Sequence, residues 1–258
     1  MDYILIAVVS LLVSGLTFFS GFGLGTLLMP VFALFFSIET AISASAVVHL
    51  CNNIFKFFLI KKYINWNIVG LFGVPALIFS FLGAWALIGL SHFESLFSYE
   101  LFNRTHHVEI IKIVISILII FFALMDFYPE KFKWNFGKKA LSAGGALSGF
   151  FGGLSGHQGA LRSAFLLKYN LPKEIFVATG ITIACLVDVG RLSIYGFSFM
   201  KTLSSSNHYV FIIIGIISAF IGSIVGKMLL PSMSMKFIHV LVGILLILIS
   251  VLLGVGLI

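Results

Sequence analysis

The sequence predicts an all-α membrane protein of about eight transmembrane helices, and its composition and charge spacing lead to this prediction. Hydrophobic residues occupy 60% of the 258 positions, charged residues only 10%, and the mean hydropathy is +1.16. A soluble domain carries roughly 25% charged residues, so this chain has too few charges to cover a soluble surface. Long uncharged stretches lie between Asp2 and Glu39, Lys62 and Glu94, Lys139 and Arg162, Lys201 and Lys227, and after Lys236.

Eight hydrophobic elements fill these stretches, and lipid requires them to be helices. A helix needs about 20 apolar residues to cross the hydrocarbon core, where only helices or closed barrels satisfy every backbone polar group. The runs are too long and too uniformly apolar for barrel strands. The predicted elements cover about 3–36, 40–60, 67–90, 108–128, the stretch from about 140 through the second glycine-rich segment, 174–200, 209–230 and 236–258.

Glycine-rich segments interrupt the first and fifth elements, at 21–25 and 152–159. Unwound backbone inside a membrane is tolerated where it is buried in protein or lines a water-filled cavity. The half-helix after each break begins with free N–H groups and a positive dipole end, which favour an anion. We therefore predict substrate-binding backbone at Gly23, Gly25 and Gly159. The alternative is close helix packing through small residues, as the spacing of Gly145, Gly149 and Gly153 indicates.

An internal repeat divides the chain into two halves, 1–128 and 129–258, which form one integral membrane unit without a soluble domain. An offset of 134 residues carries Gly25 onto Gly159, Ala44 onto Ala178 and Cys51 onto Cys185. Four crossings per half predict parallel repeats, related by an axis along the membrane normal. Internal repeats are typical of secondary transporters.

Polar side chains inside the second element form a stripe at helical spacing. His49, Asn52, Asn53 and Lys56 stand at positions i, i+3, i+4 and i+7. A charge at the bilayer centre costs about 2.5–3.5 kcal/mol on insertion scales, so the stripe predicts a binding face or a water-lined path. The alternative is that Lys56 snorkels to the interface while the asparagines bond to neighbouring helices.

The second half carries the strongest candidates for an anion site. His157 and Gln158 lie inside the second break, and Arg162 follows three residues after Gly159. An arginine fork matches carboxylate, phosphate and sulfonate groups, so Arg162 is the best single candidate for a substrate contact. Its alternative is snorkelling to the interface. Asp188 and Arg191 are the candidates for ion coupling, unless they pair only with each other.

Lysine-rich connections predict the orientation. Lys61 and Lys62 precede the third element, and four lysines lie within 131–139. With two crossings between them, both connections lie on one side, which the positive-inside rule assigns to the cytoplasm. Eight crossings then place both termini in the cytoplasm, at the cell membrane, and leave Lys168, Lys173 and Lys236 outside. The start of the chain lacks the features of a signal peptide, so we expect it to form the first helix.

Two pairs of segments resemble a known family. They are Gly21–Pro30 with Ala44–Val48, and Ser148–Arg162 with Val177–Thr179. Over nearly the whole chain the sequence resembles the sulfite exporter family named after TauE and SafE. The resemblance implies transport of small sulfur-containing oxyanions or organosulfonates, coupled to an ion gradient.

The resulting hypothesis is a secondary transporter that moves a small sulfite-like anion by alternating access. We expect no enzyme activity, cofactor, metal or nucleic-acid partner, and Cys51 and Cys185 have no spacing for a disulfide framework or zinc site. The partners are the anion, the bilayer and a coupling proton or sodium ion; the exact substrate, direction and oligomeric state stay open. The alternatives are a passive anion channel and an intramembrane serine hydrolase, which would use Ser155 with His239 as its base.

Overall fold

The computed structural model describes residues 2–17, 24–101, 104–127, 140–204, 208–229 and 235–257 as a helical bundle. The helices are α1 (Asp2–Leu16), α2 (Leu24–Ala33), α3 (Ile38–Ile60), α4 (Trp66–Ile68), α5 (Val74–Ser91), α6 (Ile110–Phe127), α7 (Ala140–Ser155), α8 (Gly159–Leu166), α9 (Lys173–Ser204), α10 (His208–Leu229) and α11 (Met235–Gly254). A π-helical turn, Val69–Gly73, joins α4 to α5, and 3₁₀ turns occupy Lys61–Tyr63 and Leu167–Tyr169.

The predicted elements match these helices closely, and the chain is a mostly helical integral membrane protein. Within the described residues, four helical segments are long and apolar enough to cross a membrane: Ile38–Tyr63, Trp66–Ser91, Lys173–Gly196 and Tyr209–Met228. Local chemistry sets some boundaries. The Asn65 side chain caps α4 by accepting the N–H of Ile68 at 3.2 Å, and Asn170 ends the second 3₁₀ turn in a left-handed conformation.

A β-hairpin between the third and fourth elements corrects the all-α prediction. Strand β1 (Ser95–Leu101) pairs antiparallel with β2 (Arg104–Glu109). The Tyr99 hydroxyl donates to the carbonyl oxygen of Val255 at 2.7 Å, and His106 Nδ1 lies 3.2 Å from that of Gly256. The hairpin therefore packs on the end of α11. Its mixed polar and apolar sequence has no long apolar run, so hydropathy did not reveal it.

The glycine-broken elements are helical hairpins that return to the end from which they start. In the second half, Gly144 of α7 packs on the Phe165 ring of α8, while Gly152 packs on Gln158 at the tip. In the first half, Tyr3 of α1 and Phe36 after α2 both pack on the ring of Phe211. Because each pair is antiparallel, neither element runs through the bundle in one direction, as eight crossings would require.

Helices α3 and α9, the second and sixth elements, run antiparallel. His49 contacts Asp188, whereas Asn65, after the end of α3, donates its backbone N–H to Thr179 Oγ1 near the start of α9, at 3.0 Å. Parallel repeats require these helices to run in the same direction, so that prediction is wrong. The reason is the returning hairpin, which leaves an odd number of through-running elements in each half.

The bundle has two distinct ends. We call the one with Lys61–Tyr63, Leu167–Tyr169 and the start of α9 the lysine end, since a cleft of about 380 Å³ there is lined by both Lys62 and Ile175. We call the other, with the β-hairpin, the start of α1 and the end of α11, the sheet end. Lys168 and Lys173 therefore share an end with Lys61 and Lys62, and the prediction that they lie opposite is wrong.

Small residues bring two pairs of helices into backbone contact. A Cβ on Gly149 or Gly153 of α7 would overlap a backbone carbonyl oxygen of α5, at Ala76 and Ser80, and one on Gly145 would overlap that of Phe72 in the preceding π-helical turn. On the other side of the bundle, Gly222 of α10 packs in the same way on the backbone of Leu11 in α1. The close-packing alternative is thus correct for these α7 glycines.

Candidate functional site

A buried carboxylate lies where α3, α8 and α9 meet. Asp188 of α9 is 0% exposed. Its Oδ1 accepts from Arg191 Nε at 3.0 Å, Arg191 Nη2 at 2.7 Å and Gln158 Nε2 at 3.3 Å. Its Oδ2 lies 2.6 Å from His49 Nδ1. An unpaired charge is costly to bury, so these hydrogen bonds stabilise the buried carboxylate. Asp188 and Arg191 do pair, but the pair is also bonded to His49 and Gln158.

The start of α2 meets this network at His49. When His49 Nδ1–H donates to Asp188, the other ring nitrogen of the neutral imidazole is an acceptor. Asn53 Nδ2, one turn along α3, lies 3.2 Å from that nitrogen. A Cβ on Gly25, the second residue of α2, would lie 3.5 Å from the ring. The N-terminus of α2 therefore approaches the site at Gly25; Gly23 lies outside the described residues.

The tip of the second helical hairpin approaches the same carboxylate. Gln158 immediately precedes α8, and Ser148 holds it by donating to its carbonyl oxygen at 2.9 Å. Helical side chains lean towards the N-terminus of their helix. Arg162 accordingly reaches back, and its Nη1 donates to Gln158 Oε1 at 3.4 Å. The first N–H groups of α8, from Gly159 onward, have no partner within the helix, so guanidinium and backbone donors lie at one buried terminus.

Two buried nitrogen atoms beside this terminus lack a hydrogen-bond partner. One is Nη1 of Arg191 and the other is Nε2 of His157. Arg191 Nη1 lies against Gly156, which has φ +82°; a Cβ there would come within 2.8 Å. His157 places Nδ1 2.8 Å from the carbonyl oxygen of Ser155 and stacks its ring on Phe122. Because His157 donates through Nδ1 to Ser155, its Nε2 is an acceptor in the neutral ring. Arg191 Nη1 is a donor, and a buried donor without an acceptor costs about 1–3 kcal/mol, so a ligand with acceptor oxygens suits the position beside Arg191.

Three cationic side chains are buried in the bundle. Within the described part of the chain they are Lys56, Arg162 and Arg191, each at most 3% exposed. Asp188 pairs with Arg191, whereas Arg162 bonds to the amide oxygen of Gln158 and Lys56 to that of Asn52. Buried charge is tolerated only with compensating charge or strong hydrogen bonds. An anion beside Arg162 would add such compensation.

The polar stripe of α3 divides between two neighbours. His49 and Asn53 face α9, whereas Asn52 and Lys56 face α1 and α10. With its amide oxygen towards Lys56, Asn52 accepts from Nζ at 3.2 Å and donates to Ser223 Oγ at 2.7 Å. Ser223 in turn bonds to Ser14 at 2.7 Å. Lys56 is only 3% exposed and thus does not snorkel to the surface.

Sequence reasoning missed the serines that brace the site. Ser14 and Ser148 are related by the same offset of 134 residues that relates the glycine breaks, so the repeat was a signal that could have found both. It also missed Tyr195, whose hydroxyl donates to the carbonyl oxygen of Gly153. No spacing rule links Tyr195 to that break. The structure also brings His157 near Ser155, a contact that the sequence did not predict.

The serine-hydrolase alternative lacks support in the structure. The Ser155 hydroxyl donates to the carbonyl oxygen of Phe151 at 3.0 Å, a bond within its own helix. His157 Nδ1 lies 3.2 Å from that hydroxyl, but the ring has no carboxylate partner. The side chain of His239 lies outside the described residues. In the described part of the chain, no cluster of three or more His, Cys, Asp or Glu side chains could hold a metal ion.

Comparison with known proteins identifies the family. The family model described as Sulfite exporter TauE/SafE matches residues 4–253. No curated protein and no solved structure gives a significant match. The matched region contains both glycine breaks, the stripe of α3 and the Asp188 network. The family consists of membrane transporters of sulfite-like anions rather than enzymes. The chain belongs to the sulfite exporter TauE/SafE family.

Proposed function

We propose that this protein is a secondary transporter of a small sulfur oxyanion or organosulfonate, which it binds between the N-termini of α2 and α8. One observation carries the proposal: the first N–H groups of α8, the guanidinium of Arg162 and Nη1 of Arg191 lie at one buried terminus. A bound anion supplies acceptor oxygens for these donors. The family match supports the sulfur chemistry of the substrate.

Each residue of the proposed site has a distinct role. Arg162 and the first N–H groups of α8 bind the anion's oxygens, together with the unpartnered Nη1 of Arg191. Gly25 lets the positive end of α2 face the same space. Arg191 thus takes a substrate role beyond the coupling role that the sequence suggested. Lys56, held by the amide oxygen of Asn52, adds positive charge from the neighbouring cluster rather than a direct contact.

We propose that the halves are inverted repeats, with a two-fold axis in the membrane plane. The counterpart of α1 is α7, and the counterpart of α10 is α5. Exchanging counterparts therefore maps the packing of α1 on α10 onto that of α7 on α5. The same exchange maps the antiparallel pairs α3–α9 and α6–α11 onto themselves. Six crossing helices and two re-entrant hairpins follow. Inverted repeats with half-helix N-termini at a central site are typical of alternating-access transporters.

The proposed topology places the lysine end in the cytoplasm. Lys61, Lys62, Lys168 and Lys173 all lie at helix termini or connections of this end. At the sheet end, Glu94 and Glu100 are exposed acidic residues, and Glu109 is paired with Lys112. Positive-inside bias therefore assigns the lysine end to the cytoplasm and both ends of the described chain to the outside.

Cysteine labelling in intact cells tests this topology. After Cys51 and Cys185 are replaced by alanine, we expect Glu94→Cys to react with a membrane-impermeant maleimide in intact cells. All three positions are exposed, so each can react. Lys62→Cys and Lys173→Cys lie at the lysine end, and they should both react only after lysis. Eight parallel crossings would place Lys62 and Lys173 on opposite sides, so different labelling of these two would overturn the inverted arrangement.

A ligand screen on the purified protein tests the function. We expect sulfite, sulfate, thiosulfate or a short sulfonate to raise the thermal stability more than carboxylates, phosphate or chloride. An anion at a hundredfold excess over its Kd stabilises the folded state by about 2.7 kcal/mol. In Arg162→Gln the shift should disappear, because the variant keeps polarity but loses the charge and the fork.

Two outcomes of this screen would count against the proposal. A full shift that persists in Arg162→Gln would move the anion away from α8. The absence of a shift with every anion would overturn the anion site itself. Lys173→Gln provides a matched control, because Lys173 is an exposed cation at the lysine end and its loss should leave the shift intact.

A further inference from the structure

We propose that His49 takes up a proton together with the transported anion, so that the two bind cooperatively. This inference rests on the proposed function and names the coupling group of the same site. His49 is 7% exposed and contacts Asp188 across the interface of the two halves. Among the described residues, the fully buried histidines are His49 and His157.

The charged group nearest to His49 is a carboxylate. From α9 it faces Asp188 directly, with Arg191 behind that carboxylate. From the N-terminus of α8, Gln158 donates to the same carboxylate, and Arg162 lies behind Gln158 and donates to it. The tip of α2 presents the backbone of Gly25, and α3 itself presents the uncharged Asn53. In the described part of the chain, the other titratable groups near Asp188 are the half-buried thiols of Cys51 and Cys185 and the buried phenol of Tyr195. The nearest charge is thus negative.

The surroundings of His157 are less suited to a proton. Its Nδ1 is bonded to the carbonyl oxygen of Ser155, and its ring stacks on Phe122. Among the described residues it has no carboxylate contact, and the preceding residue, Gly156, lies against the guanidinium of Arg191. A protonated ring here would add to a local positive charge instead of meeting a negative one.

Protonation of His49 has a defined place in the hydrogen-bond network. Nδ1 already bears the hydrogen that points at Asp188, so the added proton binds Nε2. In the neutral state Asn53 donates to Nε2, and an amide that turns over presents its oxygen to the new N–H. The proton is therefore accommodated by rotation of one amide on the same helix.

The proton changes the net charge that the anion meets. With neutral His49, the charges of Asp188 and Arg191 cancel; with protonated His49, the group of three carries one positive charge. An anion beside it favours the proton, and by linkage the proton favours the anion to the same extent. A proton and a monovalent anion add no net charge when they bind together. They then cross together, and the flux follows the sum of their two gradients.

Calorimetry on the purified protein between about pH 5.5 and 8.5 tests this inference. The probes are methanesulfonate and sulfate, whose charges are constant over this range, and sulfite, corrected for its own titration. Where His49 is neutral in the free protein, we expect affinity to fall roughly tenfold for each pH unit. Titrations in two buffers of different ionisation enthalpy should show one proton taken up per anion.

Variants assign that proton to a residue. In His49→Gln the affinity should be independent of pH, with no proton taken up, while His92→Gln should behave like the wild type because His92 is exposed at the end of α5. His49→Asn is the second variant if the glutamine does not fold. His157→Gln should keep the pH dependence even where its affinity is lower.

The outcomes separate this inference from the proposed function. If the wild type binds an anion without proton uptake, or if His49→Gln keeps the pH dependence, the coupling role of His49 is overturned while the anion site stands. If the wild type binds none of the three probes, the anion site and the coupling inference fall together. If the His49 variants still bind the anion but lose both the pH dependence and the proton uptake, the coupling role of His49 is supported.

Discussion

Replacing Asp188 with alanine should destabilise the protein by about 3–5 kcal/mol and abolish anion transport. The carboxylate is the acceptor for two bonds from Arg191, one from Gln158 and one from His49. Without it, a guanidinium stays buried with no negative charge beside it. Thermal unfolding in detergent measures the stability, and uptake into proteoliposomes measures the transport.

Two further variants separate the charge of Asp188 from its shape. Asp188→Asn keeps one acceptor oxygen, so it should be less destabilised than Asp188→Ala yet equally inactive. Adding Arg191→Met to Asp188→Ala removes the orphaned cation and should recover part of the stability without recovering transport. An Asp188→Ala protein that melts at the wild-type temperature would show that the carboxylate does not hold the buried cations in place.

Hydropathy was sufficient to locate the helices, because lipid leaves the backbone few alternatives. Long apolar runs with few charges must satisfy their own N–H and C=O groups, and this requirement predicts helices. The ends of α3 and α9 lie within a few residues of the prediction. The β-hairpin lies outside such runs, and there the same reasoning gives no structure.

The direction of a broken helix could not be predicted in the same way. A glycine-rich segment between two apolar runs has the same composition whether the chain continues or reverses. The informative feature is length: α1 has 15 residues and α8 only 8, each less than a full crossing. Reading these as crossings reversed the relation between the halves and placed Lys168 and Lys173 on the wrong side.

The residue types of the site were predictable, but their partners were not. Helical spacing grouped His49 with Asn53, and the glycine break drew attention to Gln158 and Arg162. The contact between His49 and Asp188 joins positions 139 residues apart, and no local pattern encodes it. For the same reason, the stripe of α3 looked like one face, although its members bond to helices on two sides.

Replacing Gly149 with leucine should destabilise the protein by more than about 3 kcal/mol, the upper range for overpacking a tight core. At Gly149 a side chain would meet the backbone carbonyl of Ala76, which cannot rotate away as a side chain does. Helices α5 and α7 would have to separate. Because α7 carries the break that leads into α8, the separation should also weaken anion binding. Thermal unfolding and the ligand screen measure the two effects.

Gly89→Leu is the matched control for this change. It makes the same substitution on α5, but a Cβ at Gly89 meets nothing within 4 Å. A lipid-facing leucine there also replaces a poor helix former with a good one, so the variant should be as stable as the wild type or slightly more so. If the Gly149 and Gly89 variants had the same thermal stability, the result would contradict the backbone contact between α5 and α7. The placement of Arg162 beside Asp188 would then lose its structural support, because α8 is positioned through α7.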